Sequence, residues 1–297
     1  MSIQVENISK TIDGRPIIQD ISFEWRPQRI IGLVGRNGAG KTTLFRTLAN
    51  HYLPTSGTLS IDGVDVQTTP VARQKLFYVD TQNNFFDGQT LAQISALYAE
   101  GYPKFDTDRL KQLLAEEQLP FKSRYRQLSK GQRMLFQILL ALVSGTAYII
   151  LDEPFDGLDI LVRERIVGRI VNEIAERPTS FLISSHNLEE LDGLCDQVLF
   201  IKDDRLVANY DLENLRATAK KLQLVFPDKH VPAVVKDHGK LIKVYGRVLE
   251  VYFDHYTPEL EAELKAAQPV MMAPCPLTIS DVFRVKLGDQ RAVMGGE

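Results

Sequence analysis

The chain has 297 residues, of which 44% are hydrophobic and 25% are charged, and its formal net charge is −3. This composition predicts a globular protein with one large domain or two modest ones, and it excludes the overall basic field typical of nucleic-acid binding. The two cysteines, Cys195 and Cys275, lie far apart, which argues against a disulfide framework and fits a reducing cytoplasm. The N-terminus has no secretory pattern, and no apolar run approaches the roughly 20 residues that span a bilayer. We therefore expect another chain to supply any membrane spans.

The first part of the chain alternates short apolar runs with turn residues. We predict short strands in residues 1–30 with a turn at Asp13–Gly14, a strand at Ile30–Gly35, a helix at Lys41–Asn50, a hairpin at Gly57–Val66 and a strand at Leu76–Val79. Residues 85–145 carry a helical pattern and form an insertion in the sheet domain.

Strands and helices alternate after the insertion. The predicted elements are a strand at Ala147–Leu151, a helix at Leu161–Glu176, a strand at Phe181–Ser184, a helix at Leu188–Cys195 and a strand at Gln197–Ile201. This alternation predicts an α/β fold with a mostly parallel sheet covered by helices. We place a domain boundary between residues 216 and 217, with a small α+β appendage over 217–297.

A glycine-rich turn follows the predicted strand Ile30–Gly35. Residues 35–42 read G-R-N-G-A-G-K-T and match the G-x-x-x-x-G-K-[ST] phosphate loop. Glycines let successive backbone N–H groups point at phosphate oxygens, and the following helix N-terminus favours anions. Lys41 is expected to reach the β- and γ-phosphates, Thr42 to ligate Mg²⁺ and Thr43 to contact the α-phosphate. The remaining loop candidates for ATP binding are Gly35, Asn37, Gly38 and Gly40.

Two carboxylates end the apolar strand Ala147–Leu151. Asp152 is the expected acidic partner of the phosphate loop and a candidate Mg²⁺ ligand. Glu153 points elsewhere because adjacent strand residues alternate in direction, and it suits a general base for the attacking water.

The segment Leu128–Gln132 reads L-S-K-G-Q, in which Ser129 is a good helix N-cap. With the two motifs above, it resembles the signature of ATP-binding cassette (ABC) ATPases, which is usually L-S-G-G-Q. The resemblance covers residues 1–210 and implies a P-loop NTPase core with an antiparallel β subdomain and the helical insertion. It also implies that Ser129, Gly131 and Gln132 bind the ATP held by the opposite subunit. Lys130 departs from the usual glycine and is similar to a variant found in ABC-2 type exporters.

Other family positions are matched one by one. Asp159 lies in a G-L-D segment that resembles the D-loop, and His186 resembles the switch histidine that contacts the γ-phosphate. Gln82 is matched to the glutamine that binds Mg²⁺ and senses the membrane partner, although counting from Thr90 places Thr81 there. Ile12 stands where the family usually stacks an aromatic ring on adenine.

The resemblance implies ATP and Mg²⁺ as cofactors and a dimer that encloses two ATP molecules, either a homodimer or a pair with a related ATPase. It also implies a separately encoded membrane permease, with this chain on the cytoplasmic side at the inner face of the membrane. The closing T-I-S-D-V-F-R-V segment resembles that of ABC-2 type exporter ATPases and therefore implies an exporter. The alternative is an ABC ATPase that acts on nucleic acid or ribosomes, which the single phosphate loop and the lack of a basic tract disfavour.

Some residues have two readings from sequence. Phe85, Phe86 and Tyr98 either dock a coupling helix of the permease or form the core of the insertion. His230 and His238 are interpreted as surface residues, and the appendage carries no chemical motif.

Overall fold

The computed structural model describes residues 2–80, 86–227 and 231–287. The chain divides into two compact units, Met1–Asn209 and Tyr210–Glu297. Gln82, Thr81, Phe85 and His230 lie outside the described residues. The division falls between residues 209 and 210, whereas the sequence placed it between 216 and 217, because the helix that follows Asp211 belongs to the second unit.

An antiparallel sheet of order β2-β1-β4-β5 begins the first unit. Its strands are β1 (Ile3–Ile12), β2 (Arg15–Trp25), β4 (Ser56–Ile61) and β5 (Val64–Asp65). The predicted turns form where expected, since Asp13, Gly14, Asp62 and Gly63 all have positive φ angles. Buried apolar residues of this sheet share one core cluster with Leu44 and Phe45, which follow the phosphate loop in sequence.

The second sheet has the order β10-β9-β3-β8-β7-β6. Its strands are β3 (Ile30–Val34), β6 (Leu76–Val79), β7 (Tyr148–Leu151), β8 (Ser180–Ser185), β9 (Gln197–Lys202) and β10 (Arg205–Asp211). The pairs β3–β8, β3–β9, β7–β8 and β6–β7 are parallel. The carboxyl ends of β3, β7 and β8 therefore meet at one edge, and each ends in a predicted motif.

Helices accompany this sheet, as the alternating pattern predicted. They are α1 (Lys41–Leu48), α2 (Leu91–Gly101), α3 (Thr107–Glu116), α4 (Lys130–Val143) and α5 (Ile160–Glu176). Side-chain caps start α2, α3, α4 and α5, because the residue before each one accepts a backbone N–H bond. None of the helices in the described ranges is long and apolar enough to cross a membrane.

The prediction of a helix over Leu188–Cys195 is wrong. Only Leu188–Glu190 forms a short 3-10 turn, and the chain then continues as turns in which Gly193 has a φ of 74°. Asn187 caps this turn, but Asp192–Gly193 interrupts the helical pattern after it.

This segment packs directly on the middle of β3. A Cβ atom at Gly32 would lie 2.9 Å from Cδ1 of Leu191 and 3.1 Å from Sγ of Cys195. Gly32 therefore permits an approach that a larger residue would block.

The second unit is α+β, as predicted. Its antiparallel sheet of order β12-β13-β11-β14 comprises β11 (Lys220–Val225), β12 (Gly239–Tyr245), β13 (Val248–Phe253) and β14 (Met271–Cys275). Its helices are α6 (Leu212–Thr218), α7 (Ala233–His238), α8 (Pro258–Ala266) and α9 (Ile279–Lys286). The core lies on the sheet face of Leu222 and Leu224, and His238 is exposed at the end of α7.

Candidate functional site

The phosphate loop joins β3 to α1 and wraps around the ammonium group of Lys41. Lys41 Nζ donates hydrogen bonds to the carbonyl oxygens of Gly35 (2.8 Å) and Arg36 (3.3 Å), and the side chain is only 5% exposed. The loop closes against β2, because a Cβ at Gly40 would lie 2.7 Å from the carbonyl oxygen of Ile17. Gly40 also has a φ of 97°, a conformation that residues with a side chain rarely adopt.

Glu153 lies between a cation and an imidazole. Its Oε1 is 3.0 Å from Nζ of Lys41, and its Oε2 is 2.8 Å from Nδ1 of His186. Glu153 has a positive φ of 47° and follows β7, while His186 follows β8 on the neighbouring strand. The structure thus brings together the predicted phosphate-binding lysine, the predicted base and the predicted switch histidine.

Asp152 is buried at the end of β7 and accepts hydrogen bonds from side chains on both neighbouring strands. The Ser184 hydroxyl on β8 donates to its Oδ1 (2.7 Å), and the Tyr78 hydroxyl on β6 donates to its Oδ2 (3.4 Å). The Ser184 oxygen also accepts a hydrogen bond from the backbone N–H of Glu153 (2.8 Å). Each carboxylate oxygen keeps acceptor capacity for a further ligand.

The signature segment starts α4 with a capping box. The Ser129 hydroxyl accepts from the backbone N–H of Gln132 (3.2 Å), and the Gln132 side chain accepts from the backbone N–H of Ser129 (3.0 Å). Gly131 faces α5, where a Cβ would lie 3.1 Å from Cγ1 of Val162. Asp159 caps α5 by accepting from the Val162 backbone N–H (3.0 Å).

A cavity of about 620 Å³ joins these groups within the first unit. Its lining contains predicted site residues together with residues that the motifs did not single out for ATP binding. The lining residues are Ile17, Asn37, Gly38, Gly40, Lys41, Thr42, Thr43, Lys130, Met134, Asp152, Glu153 and Asp156.

Ile17 is the apolar residue next to the loop that the sequence did not identify. It lies on β2 and lines the cavity, whereas Ile12 is half-buried at the end of β1 opposite Arg15. Ile12 and Ile17 are separated in sequence by only a short turn. The structure shows that Ile17 is the one beside the phosphate loop, because Gly40 packs against the Ile17 carbonyl. Tyr78, Ser184 and Asp156 were also missed, because their partners come from other strands and loops.

A second cavity of about 560 Å³ lies between α1, β6 and the helical insertion. Phe86 and Tyr98 line it, and their rings also touch each other edge-on (centroids 6.1 Å apart). Tyr98 stacks on Phe77 as well (5.2 Å). Phe86 and Tyr98 therefore pack within the insertion and also face a groove. This position is compatible with a role in the core of the insertion and with a role in docking a coupling helix.

The residues of the first cavity fit a nucleotide with a divalent cation. Gly38 and Gly40 of the loop line the cavity together with Lys41, which provides a buried cation. Thr42 and Asp152 offer hydroxyl and carboxylate oxygens, which are the ligands that Mg²⁺ prefers.

Comparison with known proteins gives one family. A family model described as "ABC transporter" matches residues 18–156. The chain is 32% identical over 289 residues to the ABC transporter ATP-binding protein YtrB of Bacillus subtilis, covering 97% of this chain and 99% of that protein.

Relatives named for export and for import both occur. The lipopolysaccharide export protein LptB of Acidithiobacillus ferridurans is 29% identical over 69% of this chain and 88% of its own length. The ribose import protein RbsA of Bacillus cereus is 29% identical over 70% of this chain and 44% of its own length.

Solved structures give the same fold. An ATP-binding subunit of an ABC transporter superposes with a TM-score of 0.67 at 26% identity, covering 73% of this chain and 92% of that chain. A nucleotide-free ATP-binding cassette superposes with a TM-score of 0.63 at 18% identity, covering 73% and 96%. These matches confirm the predicted P-loop NTPase fold. The chain belongs to the ABC transporter family, in which it is an ATP-binding subunit that hydrolyses ATP.

Proposed function

We propose that two copies of this chain, or one copy and a related ATPase, close around two ATP molecules and drive a separately encoded permease, with export as the direction. The observation that carries this proposal is the position of Glu153 between Lys41 and His186. This arrangement places a carboxylate, a phosphate-binding cation and a steering imidazole around one point.

The phosphate loop binds ATP in this proposal. Backbone N–H groups of the loop hold the phosphates, with Gly35, Asn37, Gly38, Gly40, Lys41, Thr42 and Thr43 as the contacting residues. Thr42, Asp152 and Gln82 would hold Mg²⁺, which would neutralise charge on the phosphates.

Glu153 and His186 carry the hydrolytic step. Lys41 leaves Glu153 for the phosphates when ATP binds, because a phosphate carries more negative charge than one carboxylate. Glu153 then accepts a proton from the attacking water, and His186, already within hydrogen-bonding distance of Glu153, orients this water against the γ-phosphate.

The opposite subunit completes each site. Ser129, Gly131, Gln132 and Asp159 are the residues that would reach the ATP bound by the partner. Ile160 and Leu161 support an interface here, since both are exposed apolar side chains at the start of α5, directly after Asp159. A head-to-tail pair with twofold symmetry would cover them twice.

The groove of Phe86 and Tyr98 is the proposed docking place of the permease. Its lining also contains Arg46, which is paired with Asp80, and Arg73. Support for export comes from the Lys130 variant of the signature and from the closing segment of α9. A permease bound here would hold the chain at the inner face of the membrane.

The test compares the purified wild type with Glu153→Gln and with Glu176→Gln, which changes an exposed carboxylate at the end of α5. We expect the wild type and Glu176→Gln to turn over ATP. We expect Glu153→Gln to form an ATP-trapped dimer that light scattering detects. Unchanged turnover in Glu153→Gln would reject the assigned base. A monomer at saturating ATP in the Glu153→Gln variant would reject the pair of two identical copies and leave the pair with a related ATPase.

A further inference from the structure

The start of α4 lies against the loop that follows β7 in the same chain. Lys130 Nζ is 3.2 Å from Oδ2 of Asp156, and a Cβ at Gly157 would lie 2.6 Å from the same nitrogen. One residue further on, Gly131 faces Val162 of α5. The signature segment and the loop that follows β7 therefore touch within one subunit.

Lys130 occupies a position that is unfavourable for a cation. It is the first residue of α4, where the partial positive charge of the helix dipole repels an ammonium group, and the first turn has no acidic residue. Asp156 supplies the compensating charge. Both side chains are more than half exposed, 62% for Lys130 and 56% for Asp156, so this ion pair contributes little to folding. We therefore look for an effect of the ion pair on the charges beside it.

Asp156 lies in an acidic cluster with the proposed base. Ligand atoms of Glu153, Asp156 and His186 all lie within 4.8 Å of one another. Two carboxylates at this separation repel each other, and each is paired with a cation, Glu153 with Lys41 and Asp156 with Lys130. Lys130 also lines the cavity that contains Lys41 and Thr42.

We propose that Lys130 is a positioning residue that neutralises the charge of Asp156 beside Glu153 while ATP is hydrolysed. The inference rests on the proposed role of Glu153 as the base. When Lys41 moves to the phosphates, Glu153 loses its cation, and an unpaired Asp156 would push the Glu153 carboxylate out of place. Lys130 prevents this by offsetting the negative charge of Asp156 through the ion pair.

The kinetic test is a double-mutant cycle on the full chain. Lys130→Gln lowers kcat by about tenfold with little change in KM for ATP, because the defect lies in the placement of the base. Lys130→Arg restores kcat, since it keeps the cation. In the Asp156→Asn background, Lys130→Gln causes little further loss of kcat relative to Asp156→Asn alone, because the repelling charge is gone. An equal loss from Lys130→Gln in both backgrounds, or no loss in either, overturns the proposal.

A second measurement tests the ion pair without ATP. A zero-length carbodiimide cross-linker joins amines to carboxylates in contact, and the nucleotide-free chain should give a Lys130–Asp156 cross-link. The control is the Lys75–Asp62 pair (2.7 Å), which also joins two loops that are separate in sequence. A cross-link at the control pair alone overturns the inference whatever the turnover. A wild type without ATP turnover rejects the proposed function instead, and the cross-link still reports on the pair.

Discussion

Tyr78 and Asp152 lie on adjacent parallel strands, and the Tyr78 hydroxyl donates a hydrogen bond of 3.4 Å to Oδ2 of Asp152. Tyr78 also lines the groove between α1, β6 and the helical insertion. One side chain therefore touches both the proposed permease groove and the proposed Mg²⁺ ligand. Burial raises the pKa of Tyr78 well above its ordinary value, so the hydroxyl stays protonated and remains a donor at neutral pH.

Tyr78→Phe keeps the ring contacts with Phe45 and His51 and removes the hydroxyl that donates to Asp152. We expect turnover at limiting Mg²⁺ to fall by about fivefold, because a lost hydrogen bond to a carboxylate is worth roughly 1 kcal/mol. The measurement is kcat as a function of Mg²⁺ concentration. Tyr52→Phe is the matched control, since its hydroxyl lines the same groove but bonds to Arg46. Equal Mg²⁺ dependence in both variants would contradict the proposed link.

Ser184→Ala tests the second bond to Asp152. Ser184 is fully buried, donates to Asp152 and accepts from the Glu153 backbone N–H. Its loss leaves both groups short of a partner, so we expect a destabilisation of about 1–3 kcal/mol and a clear loss of turnover. Chemical denaturation and ATPase assays measure the two effects.

Ser180→Ala is the control on the same strand. Ser180 is also fully buried, and its hydroxyl has no hydrogen-bond partner within the described part of the chain. Removing it should change stability by less than about 0.5 kcal/mol or raise it. A loss in Ser180→Ala equal to that in Ser184→Ala would show that strand packing, not the bonds, causes the effect.

Lys221 is the centre of a buried ion network in the second unit. Its Nζ is 3.0 Å from Oε2 of Glu250 and 3.0 Å from Oδ2 of Asp281, and the Lys221 side chain is 10% exposed. Lys221→Met leaves two carboxylates without their cation, so we expect the second unit to lose about 3 kcal/mol. Hydrogen exchange of β11 amides in the full chain measures this loss. Lys265→Met, which breaks an exposed pair with Glu261, should change exchange little.

The same network predicts a pH dependence. Burial opposes ionisation of Glu250, but its bonds to Lys221 and Gln223 hold its pKa below the ordinary 4.5. This contribution to stability is present above pH 4.5 and is lost as the pH falls through the lowered pKa. For Lys221, burial lowers the pKa, but bonds to Asp281 and Glu250 raise it above the ordinary 10.5. That contribution is present below pH 10.5 and is lost as the pH rises through the raised pKa.

Denaturation midpoints of the second unit should therefore be flat between these limits and fall at both ends. Lys221→Met should have a lower plateau and shallower falls, since both pKa shifts depend on the pair. Identical pH profiles in the two proteins would contradict the assignment.

The motifs that lie within one short segment could be predicted from the sequence. The phosphate loop, the acidic strand end and the Ser129 cap each depend on neighbours in sequence, and the structure places them as expected. Bonds between strands could not be predicted, because Tyr78 and Ser184 meet Asp152 only through the order β6-β7-β8. Lys130 stood out in the sequence as a departure from the family, but its partner Asp156 depends on the path of a loop.

The second unit was predicted in outline only. The sequence missed α7, which is six residues long, and β14, in which Pro274 weakens the strand pattern. It also gave no sign of the Lys221 network, because Glu250 and Asp281 come from separate elements.

The packing of Leu191 and Cys195 on Gly32 has a practical consequence. Burial raises the pKa of the Cys195 thiol, so it resists alkylation while the segment after His186 stays on β3. Any opening of that segment would expose the thiol to reagent. In a Cys275→Ser background, Cys195 is thus a native chemical probe of local opening that needs no introduced label. It lies against the middle of β3, the strand that precedes the phosphate loop.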